Sequence, residues 1–471
     1  MQIRNMQIRK PVIRCVVGAA AVLTMRAVAA DEPVYNEWIR PASAEALASI
    51  PSNWSLGHSP LPNETVRLTP MHCRNIIWDE KASHVIAGWH QEAGYIAVAT
   101  INTTPKPGGF NTLRVSGNFM VGAGAVTHPR NSAAEDYWLS LDVGGDFNVS
   151  GGAYVSVSGK GFAPGAGPSP SVVPGAGASH GGQGAPHATR VSERRALTYG
   201  SVLDPVSSGS GGTVAESSTN AYHGGGAIIV KVGGRASIGG VVAANGDSRN
   251  FEDDNVGGAA GGSVNIVAET SLVVTGWVQA NGGNAPGADA GGGGGGRISL
   301  IAKNGPAHLA RHQLVAYGGI GASKAPSNAN ADRHLRAAAG TVYWAQNDAK
   351  LPRSGEVIVR DWHKTGLATT RVPSDIGAKS GELRDAQITL ENNGFMFLSQ
   401  SASIRALSFS SGGNLDLNGN TLITGSVSNS KYRTPLPATG TAYVSPSEPH
   451  LDTVIFNGGR LRISPYFKPI F

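Results

Sequence analysis

The densest group of acidic side chains lies at Asp247, Glu252, Asp253 and Asp254. Several carboxylate oxygens on one flexible loop are the ligands that hard cations such as Ca²⁺ prefer. Arg297 or Lys303, in a later repeat, would place a positive charge on a neighbouring coil. We therefore predict a ligand-binding site at the four acidic residues and Arg297, with no cofactor and no metal ligand assigned, although the loop would suit Ca²⁺. The alternative is a solvated acidic loop without a ligand.

Two further patterns contain residue types that are used in catalysis. Ser179 lies in the segment Gly177–Gly181, which matches the G-x-S-x-G of serine hydrolases. That serine works on a strained turn between a strand and a helix, whereas the flanking residues here are Pro and Gly without a helical pattern. His308 and His312 are four residues apart, but Leu309 stands where a zinc-protease helix needs glutamate. The sequence therefore assigns no catalytic residue.

Aromatic side chains lie in or beside the long glycine-rich insertions, at Tyr199, Tyr222 and Phe251. Exposed aromatic rings are suited to stacking on sugars, while buried rings would pack a loop onto the body of the protein. Packing is the favoured reading of these three residues. No cluster of Lys and Arg is interleaved with aromatic residues, so no nucleic-acid partner is predicted.

The first thirty residues have the order of a secretory signal peptide. Basic residues from Arg4 to Arg14 precede a short apolar stretch, and small residues follow up to Ala30. The apolar stretch is shorter than the about 20 residues that span a membrane, and no second such stretch follows. We therefore predict that residues 1–30 direct export from a bacterial cell. The mature chain is expected to be secreted or attached to the cell surface, without a transmembrane segment.

The composition indicates an unusual fold. Glycine accounts for 65 of the 471 residues, which is too much for an ordinary globular domain, yet it lacks the period of collagen. Val, Ile and Leu remain frequent between the glycines, which argues against disorder. Only Cys73 remains after the predicted cleavage, so stability must come from packing and backbone hydrogen bonds instead of disulfides.

Internal repeats indicate how the chain is organised. Residues 226–246 and 262–282 align without gaps at a spacing of 36, each with a glycine, three apolar runs and a final Ala-Asn-Gly. An earlier copy occupies residues 139–159. Three short strands suit one triangular coil of a solenoid, which buries its apolar face only by stacking on other coils. We therefore predict an all-β parallel β-helix, a β-solenoid with long glycine-rich loop insertions.

The alternation of residues within the runs predicts the interior. Its predicted members are Ile228, Val230, Val232, Val264, Ile266 and Ala268. The Asn of each Ala-Asn-Gly, at Asn245 and Asn281, predicts either stacked side-chain amides or a left-handed turn conformation.

The glycine runs fall at one point of the repeat and carry the insertions, including a long loop at residues 160–223. Insertions at one register of a solenoid emerge on one side, where they form a working surface or are merely tolerated. Residues 31–129 are predicted to be irregular coils that cap one end. Residues 130–350 are the glycine-rich β-helix, and residues 351–471 add strand-rich C-terminal coils.

Several segments resemble a known group of proteins. Trp54–Pro60 followed by Val66–Leu68 resembles the W-x-x-G-x-x-P and V-x-L opening of secreted bacterial right-handed β-helix proteins. The Ala-Asn-Gly elements, the hexaglycine Gly291–Gly296 and Gly340–Tyr343 resemble repeats of autotransporter-like and adhesin-like surface proteins. The resemblance spans most of residues 50–463 and implies a right-handed β-helix with an adhesive or carbohydrate-linked surface role. Pectate-lyase-like β-helices use carboxylates with a basic residue to remove a sugar α-proton.

Three functions fit these observations. The first is a non-enzymatic surface or secreted protein that contacts polysaccharide or other cell-surface components through loops on one side of the solenoid. The second is a polysaccharide lyase or glycoside hydrolase on the same scaffold, which the fold does not distinguish from the first. The third is a passenger fragment of a larger adhesin, with coils that run to Phe471. We expect the non-enzymatic role, since no residue is assigned to catalysis.

Overall fold

A computed structural model gives the architecture of the chain. It describes residues 32–187, 197–213, 222–248, 256–321, 336–361, 374–375, 381–429, 453–455 and 458–463, except residues 43, 286, 288, 351 and 411. The chain divides into Met1–Pro33 and Val34–Phe471, and the architecture below is that of the second unit.

The described residues contain thirty-one strands and three short 3-10 helices. In chain order the strands are β1 (Val34–Glu37), β2 (Glu64–Leu68), β3 (Ile76–Trp78), β4 (Val85–Ile86), β5 (Gly88–Gln91), β6 (Val98–Ile101), β7 (Leu113–Val115), β8 (Phe119–Val121), β9 (Ala125–Thr127), β10 (Leu139–Val143), β11 (Phe147–Val149), β12 (Tyr154–Ser156), β13 (Ala227–Val232), β14 (Arg235–Ile238), β15 (Val241–Ala243), β16 (Ser263–Ala268), β17 (Ser271–Val274), β18 (Trp277–Gln279), β19 (Arg297–Ala302), β20 (Ala307–Leu309), β21 (Leu314–Val315), β22 (Thr341–Gln346), β23 (Glu356–Arg360), β24 (Ser374–Asp375), β25 (Gln387–Glu391), β26 (Phe395–Phe397), β27 (Ala402–Ser410), β28 (Asn414–Asp416), β29 (Thr421–Asn429), β30 (Thr453–Ile455) and β31 (Arg460–Ile463). The 3-10 helices are Pro51–Asn53, Pro70–His72 and Arg311–Gln313.

Consecutive strands enter three parallel sheets in a repeating order. Strand β10 lies in a twelve-stranded sheet, β11 in an eight-stranded sheet and β12 in a seven-stranded sheet. The next three strands, β13 to β15, enter the same sheets in the same order. Each unit of three strands pairs with the next, so that Val230 lies opposite Ile266 and Val241 lies opposite Trp277. The pairing offset equals the 36 residues between the two copies in the sequence, which confirms the predicted repeat. The chain is all-β with large parallel sheets, as predicted.

Alternate residues of the strands fill a continuous interior. All six predicted interior residues of the two best-aligned copies are buried, from Ile228 to Ala268. In the earliest units the interior holds a column of aromatic rings whose successive centroids are 5.0 to 6.1 Å apart. Its members are Trp38, Trp54, Trp78, Trp89, Phe119 and Phe147. Regular three-strand units begin at Val85, inside the segment 31–129 that the sequence predicts to be irregular.

The stacking changes after β22. Strand β23 pairs with β22 in the antiparallel direction, with Tyr343 opposite Val357. Later strands alternate between the twelve-stranded sheet and a separate four-stranded sheet, and they pair in parallel, as Leu390 does with Phe409. The predicted C-terminal coils are therefore units of two strands. They enclose their own core, which includes Ile388, Met396, Leu407, Leu415 and Leu422.

The glycine-rich segments between the units form a third structural element. They are residues 177–185, 208–212, 224–226, 257–262, 280–284, 291–296, 317–320 and 337–340, and we call them the glycine lattice. They have no strand assignment, yet most of their residues are buried and their backbone groups bond to one another. The described parts of the predicted insertions therefore pack into the body of the protein instead of projecting from it.

The hexaglycine segment shows the order of this lattice. Its hydrogen bonds return to the same neighbouring segment every three residues, which is the repeat of a polyproline II helix. The N–H groups of 291 and 294 donate to Gly175 and Ala178, and those of 293 and 296 donate to Gly283 and Ala280. The carbonyls of 291 and 294 accept from Gly258 and Gly261, and those of 292 and 295 accept from Ala185 and Gly182. Buried backbone groups are thus satisfied by neighbours on several sides.

Close approach explains why these segments are glycine. A Cβ at Gly177 would lie 1.9 Å from the carbonyl oxygen of Gly292, and one at Gly340 would lie 1.8 Å from that of Gly296. Real side chains are excluded at such distances. The lattice can therefore form only where glycine stands at these closest backbone contacts, and this requirement accounts for the glycine content of its segments.

Residues 199–208, within the predicted long loop, pack across the outer face of the twelve-stranded sheet. Ser263 Oγ donates to Ser207 O at 2.6 Å, and Ser299 Oγ donates to Leu203 O at 2.7 Å. Polar outward residues of β16 and β19 are thereby buried with partners. This part of the face is closed to ligands, whereas Asp142 and Lys231 of the same sheet remain exposed.

Candidate functional site

The predicted acidic site is only partly within the described residues. Glu252, Asp253, Asp254 and the neighbouring Phe251 lie outside them. Asp247 is half-buried, and its backbone N–H donates to His223 O at 2.9 Å. No group of three His, Cys, Asp or Glu side chains that could hold a metal ion occurs in the part of the chain that the structure describes.

Arg297 is fully buried under residues 199–208. Its Nε donates to Tyr199 O at 2.8 Å, and its Nη1 donates to Thr341 Oγ1 at 3.2 Å. The guanidinium, carried by β19, thus links residues 199–208 to β22. The structure therefore gives Arg297 an internal role and not a place on a ligand-binding surface.

Ser179 and His180 also lie inside the protein. Ser179 Oγ accepts from Gly184 N at 2.9 Å, and His180 Nδ1 is 2.7 Å from Gly261 O. Burial lowers the pKa of His180 to about 3, with Arg297 adding to the effect, so the imidazole is neutral. The G-x-S-x-G match thus has no exposed nucleophile, in agreement with its interpretation as a chance pattern.

The remaining predicted residues are separate from one another. Tyr222 is fully buried, and the Tyr199 ring packs at a tilt against His180 with ring centroids 4.5 Å apart, as loop packing predicts. His308 lies on the outer face of β20, whereas His312 contacts Trp277.

The outer face of the seven-stranded sheet carries two exposed aromatic residues in one row. Tyr154 is 47 % exposed and Trp277 is 40 % exposed. Both lie opposite Val241, one on each side, so they are two strand spacings or roughly 10 Å apart. We call Tyr154, Val241 and Trp277 the aromatic row. The Trp277 ring is held edge-on by His312, with centroids 6.4 Å apart and planes at 85°.

Polar residues flank the aromatic row. Ser156 lies two residues after Tyr154 on β12, and Gln279 lies two residues after Trp277 on β18. Both are therefore on the same face as the row, with β15 between them. Gln279 Oε1 accepts from Asn245 Nδ2 at 3.0 Å. No partner for Gln279 Nε2 is found among the described residues, so this amide can donate to a ligand.

A ladder of amides continues from this flank. Asn245 Oδ1 accepts from Asn281 N, and Asn281 Oδ1 accepts from Tyr317 N, each at 2.8 Å. In a second ladder, Ser248 Oγ accepts from Asn284 N, and Asn284 Oδ1 accepts from Ile320 N. The sequence predicts either stacked amides or a left-handed turn at these Asn residues. Their side-chain oxygens accept hydrogen bonds from backbone N–H groups of the next coil, and neither Asn245 nor Asn281 has a positive φ.

The ladders border a groove of about 340 Å³, which we call the amide groove. Its lining residues are Asn245, Gly246, Ser248, Asn281, Gly282, Asn284, Tyr317, Gly318 and Ile320. Within the described ranges, Asn281 Nδ2 and Asn284 Nδ2 have no protein acceptor. The groove therefore offers neutral hydrogen-bond donors and no charged side chain.

A network of ions adjoins one end of the amide groove. Burial raises the pKa of Tyr317, while the neighbouring Arg360 opposes the rise. Arg360 pairs with Glu391, and Arg311 lies 3.0 Å from Glu356 and 4.0 Å from Glu391. Glu356 and Glu391 are thus linked through Arg311, at the junction between the three-strand units and the two-strand units.

Comparisons with protein-family models, with curated proteins and with solved structures find no match to this chain. Among the described residues, no helix has the length and apolar character needed to cross a membrane.

Sequence reasoning missed Tyr154 and Trp277. Both open the third apolar run of their repeat, and Val241 occupies the same position in the copy between them. An aromatic residue that recurs at an outward position of aligned repeats is the signal that identifies them.

Proposed function

We propose that this protein is a secreted or surface-attached β-solenoid that binds polysaccharide on the outer face of its seven-stranded sheet. One observation carries the proposal: Tyr154 and Trp277 are exposed in a single row, one strand apart from their common neighbour Val241. Residues 1–30 serve as the signal peptide. The coils are right-handed, because crossover connections between parallel strands of one sheet almost always have that hand.

Aromatic rings and amides are the groups that suit sugar recognition. The apolar face of a pyranose ring stacks on an aromatic ring and buries area on both, while its hydroxyl groups exchange hydrogen bonds with amides. Trp277 Nε1 and the Tyr154 hydroxyl have no hydrogen-bond partner in the described part of the protein, and neither does Gln279 Nε2. The aromatic row provides both requirements on one surface.

The scaffold supports a binding role because it fixes the spacing of the row. Strand pairing sets the distance between successive coils, and the glycine lattice ties the coils together on another side. Little conformational entropy is lost when a ligand meets a surface that is already ordered. The protein thus acts as a rigid adhesive or matrix-binding element.

Retention on insoluble polysaccharides tests the proposal. The purified mature protein is incubated with a panel of insoluble glycans and assayed in the pellet, together with Trp277→Ala, Tyr154→Ala and the control Met120→Ala. Met120 is exposed to a similar degree but lies on the eight-stranded sheet. We expect retention of the wild type and of Met120→Ala, and its loss in Trp277→Ala. Equal retention of all variants would contradict the proposal.

A polysaccharide-cleaving enzyme is the second candidate, since Glu356 and Glu391 share Arg311 beside the amide groove. Paired carboxylates perform general acid and base catalysis in glycosidases. Each of these two is engaged by arginine, however, and Glu356 also accepts from Trp344 Nε1 at 2.9 Å. New reducing or unsaturated ends that form with the wild type and disappear in Glu391→Gln would replace the adhesive proposal with this one.

A further inference from the structure

We infer that the ligand of the aromatic row is a neutral, extended, β-1,4-linked glycan chain that lies across the strands, along the stacking direction of the coils. The inference rests on the proposed function and specifies its substrate class. Three features of the surface carry it: the spacing of the rings, the absence of charge beside them, and the pairing of each ring with a polar neighbour.

The spacing of the rings selects the geometry of the chain. Tyr154 and Trp277 are two strand spacings apart, roughly 10 Å. In an extended β-1,4-linked chain successive sugars are rotated by about half a turn, so the repeat along the chain is one disaccharide. The length of that repeat is close to two strand spacings. Alternate sugars can therefore present the same face to Tyr154 and Trp277, whereas a helical α-1,4 chain or a β-1,3 chain curves away from a straight row.

The charge of the surface selects a neutral chain. The row itself runs from Val98 and Ala125 through Tyr154 and Val241 to Trp277. None of these residues is charged. The flanking residues Ser156, Ala243 and Gln279 are also neutral, and the titratable His312 packs against the Trp277 ring. A polyuronate carries a carboxylate on each sugar and would lose hydration here without an ionic partner, which is unfavourable.

Each aromatic residue has a polar neighbour on its own strand. Ser156 follows Tyr154, and Gln279 follows Trp277, at about 6.6 Å along the strand for two residues. The two polar groups are therefore separated by the same distance as the two rings. A chain that repeats with this period meets an aromatic ring and a hydrogen-bonding group at each repeat.

Hexasaccharides of defined linkage test the inference. Binding of cellohexaose, laminarihexaose and maltohexaose, with polygalacturonate as the charged probe, is followed by calorimetry and by Trp fluorescence. We expect cellohexaose to bind at least about tenfold more tightly than the other two hexasaccharides, and its affinity to be independent of salt because no ion pair forms. Trp277→Ala is expected to weaken cellohexaose binding about tenfold or more.

A rearranged row separates spacing from composition. The double variant Val241→Trp with Trp277→Val keeps two aromatic residues but places them on adjacent strands, so their separation is halved. We expect it to lose cellohexaose binding while its thermal unfolding stays close to that of the wild type. Wild-type affinity in this variant would overturn the spacing argument.

The outcomes distinguish this inference from the proposed function. Equal binding of all three neutral hexasaccharides that is lost in Trp277→Ala would retain glycan binding and overturn the β-1,4 assignment. Salt-dependent binding of polygalacturonate alone would overturn the neutral assignment. No binding to any glycan would overturn both. Self-association that Trp277→Ala abolishes, measured by light scattering, would reassign the row to a contact between copies of the chain.

Discussion

Gly294→Ala is expected to disrupt the glycine lattice. An added Cβ would lie 1.9 Å from the carbonyl oxygen of Gly182 and 2.6 Å from its carbonyl carbon. Hydrogen bonds hold both segments in place: Gly294 N donates to Ala178 O, and Gly182 N donates to Gly295 O, each at 2.8 Å. Because the opposing atoms belong to the backbone, no side-chain rotation relieves the clash, and the two segments must separate.

The expected loss follows from these contacts. Overpacking a dense interior costs about 1–3 kcal/mol. Separation of the segments weakens two backbone hydrogen bonds, which are worth about 0.5–1.5 kcal/mol each. We therefore expect Gly294→Ala to lower the free energy of unfolding by about 2–6 kcal/mol. Gly151→Ala is the matched control, since its Cβ would meet no atom closer than 3.9 Å, and we expect a change within about 1 kcal/mol.

Urea unfolding followed by circular dichroism measures the free energy of unfolding of both variants. Hydrogen exchange at the Gly182 amide locates the damage, because that amide bonds across the affected contact. We expect faster exchange at Gly182 in Gly294→Ala alone. Equal unfolding free energies and equal exchange in the two variants would refute close packing of the lattice.

Three further predictions follow from the described contacts. Asn281→Ala removes the acceptor of Tyr317 N and is expected to lower the free energy of unfolding by about 1 kcal/mol in urea titrations. Burial lowers the pKa of His128 to about 3, so the unfolded chain is protonated first as the pH falls; this histidine alone is expected to contribute a loss of about 1.4 kcal/mol of stability per pH unit from about pH 6.5 down to pH 3, a contribution that His128→Leu removes. His312→Ala removes the ring that packs edge-on against Trp277 and is expected to weaken glycan binding by roughly two- to tenfold.

Matched variants check these three expectations. Asn148→Ala removes an outward Asn that has no ladder partner, and it should leave the stability unchanged. His308→Ala removes an exposed imidazole, and it should alter neither the stability nor glycan binding. A loss in these controls as large as in the test variants would indicate a general surface effect, contrary to the contacts described.

The secondary structure of the stack is largely local in origin. Apolar residues alternate from Ile228 to Val232, and the same alternation recurs 36 residues later, so strand, inward face and register could all be predicted. Asn245 and Asn281 occupy equivalent positions of aligned repeats, so their placement on successive coils follows from the sequence, which leaves open whether their amides stack or form a left-handed turn. The antiparallel pairing at Tyr343 has no such signal, because nothing in one strand specifies the direction of its partner.

The candidate site depended on contacts that are remote in sequence. Arg297 has the residue type of a ligand-binding cation, yet Tyr199 and Thr341 enclose it, and neither lies within its own repeat. Tyr154 and Trp277 are separated by 123 residues in the chain and become close only because the long insertion between β12 and β13 does not interrupt strand pairing.

The sequence by itself determined the all-β class, the three-strand unit and the residues that face the interior, because these follow from a repeat of two residues along each strand and of 36 along the chain. Only the tertiary structure decided that the glycine segments pack as a lattice. Glycine carries no side chain that marks a buried position, and its partners are backbone atoms of segments such as 177–185 and 291–296, more than a hundred residues apart. Likewise, only the tertiary structure places residues 199–208 on the outer face of the twelve-stranded sheet and leaves the aromatic row exposed on the seven-stranded sheet.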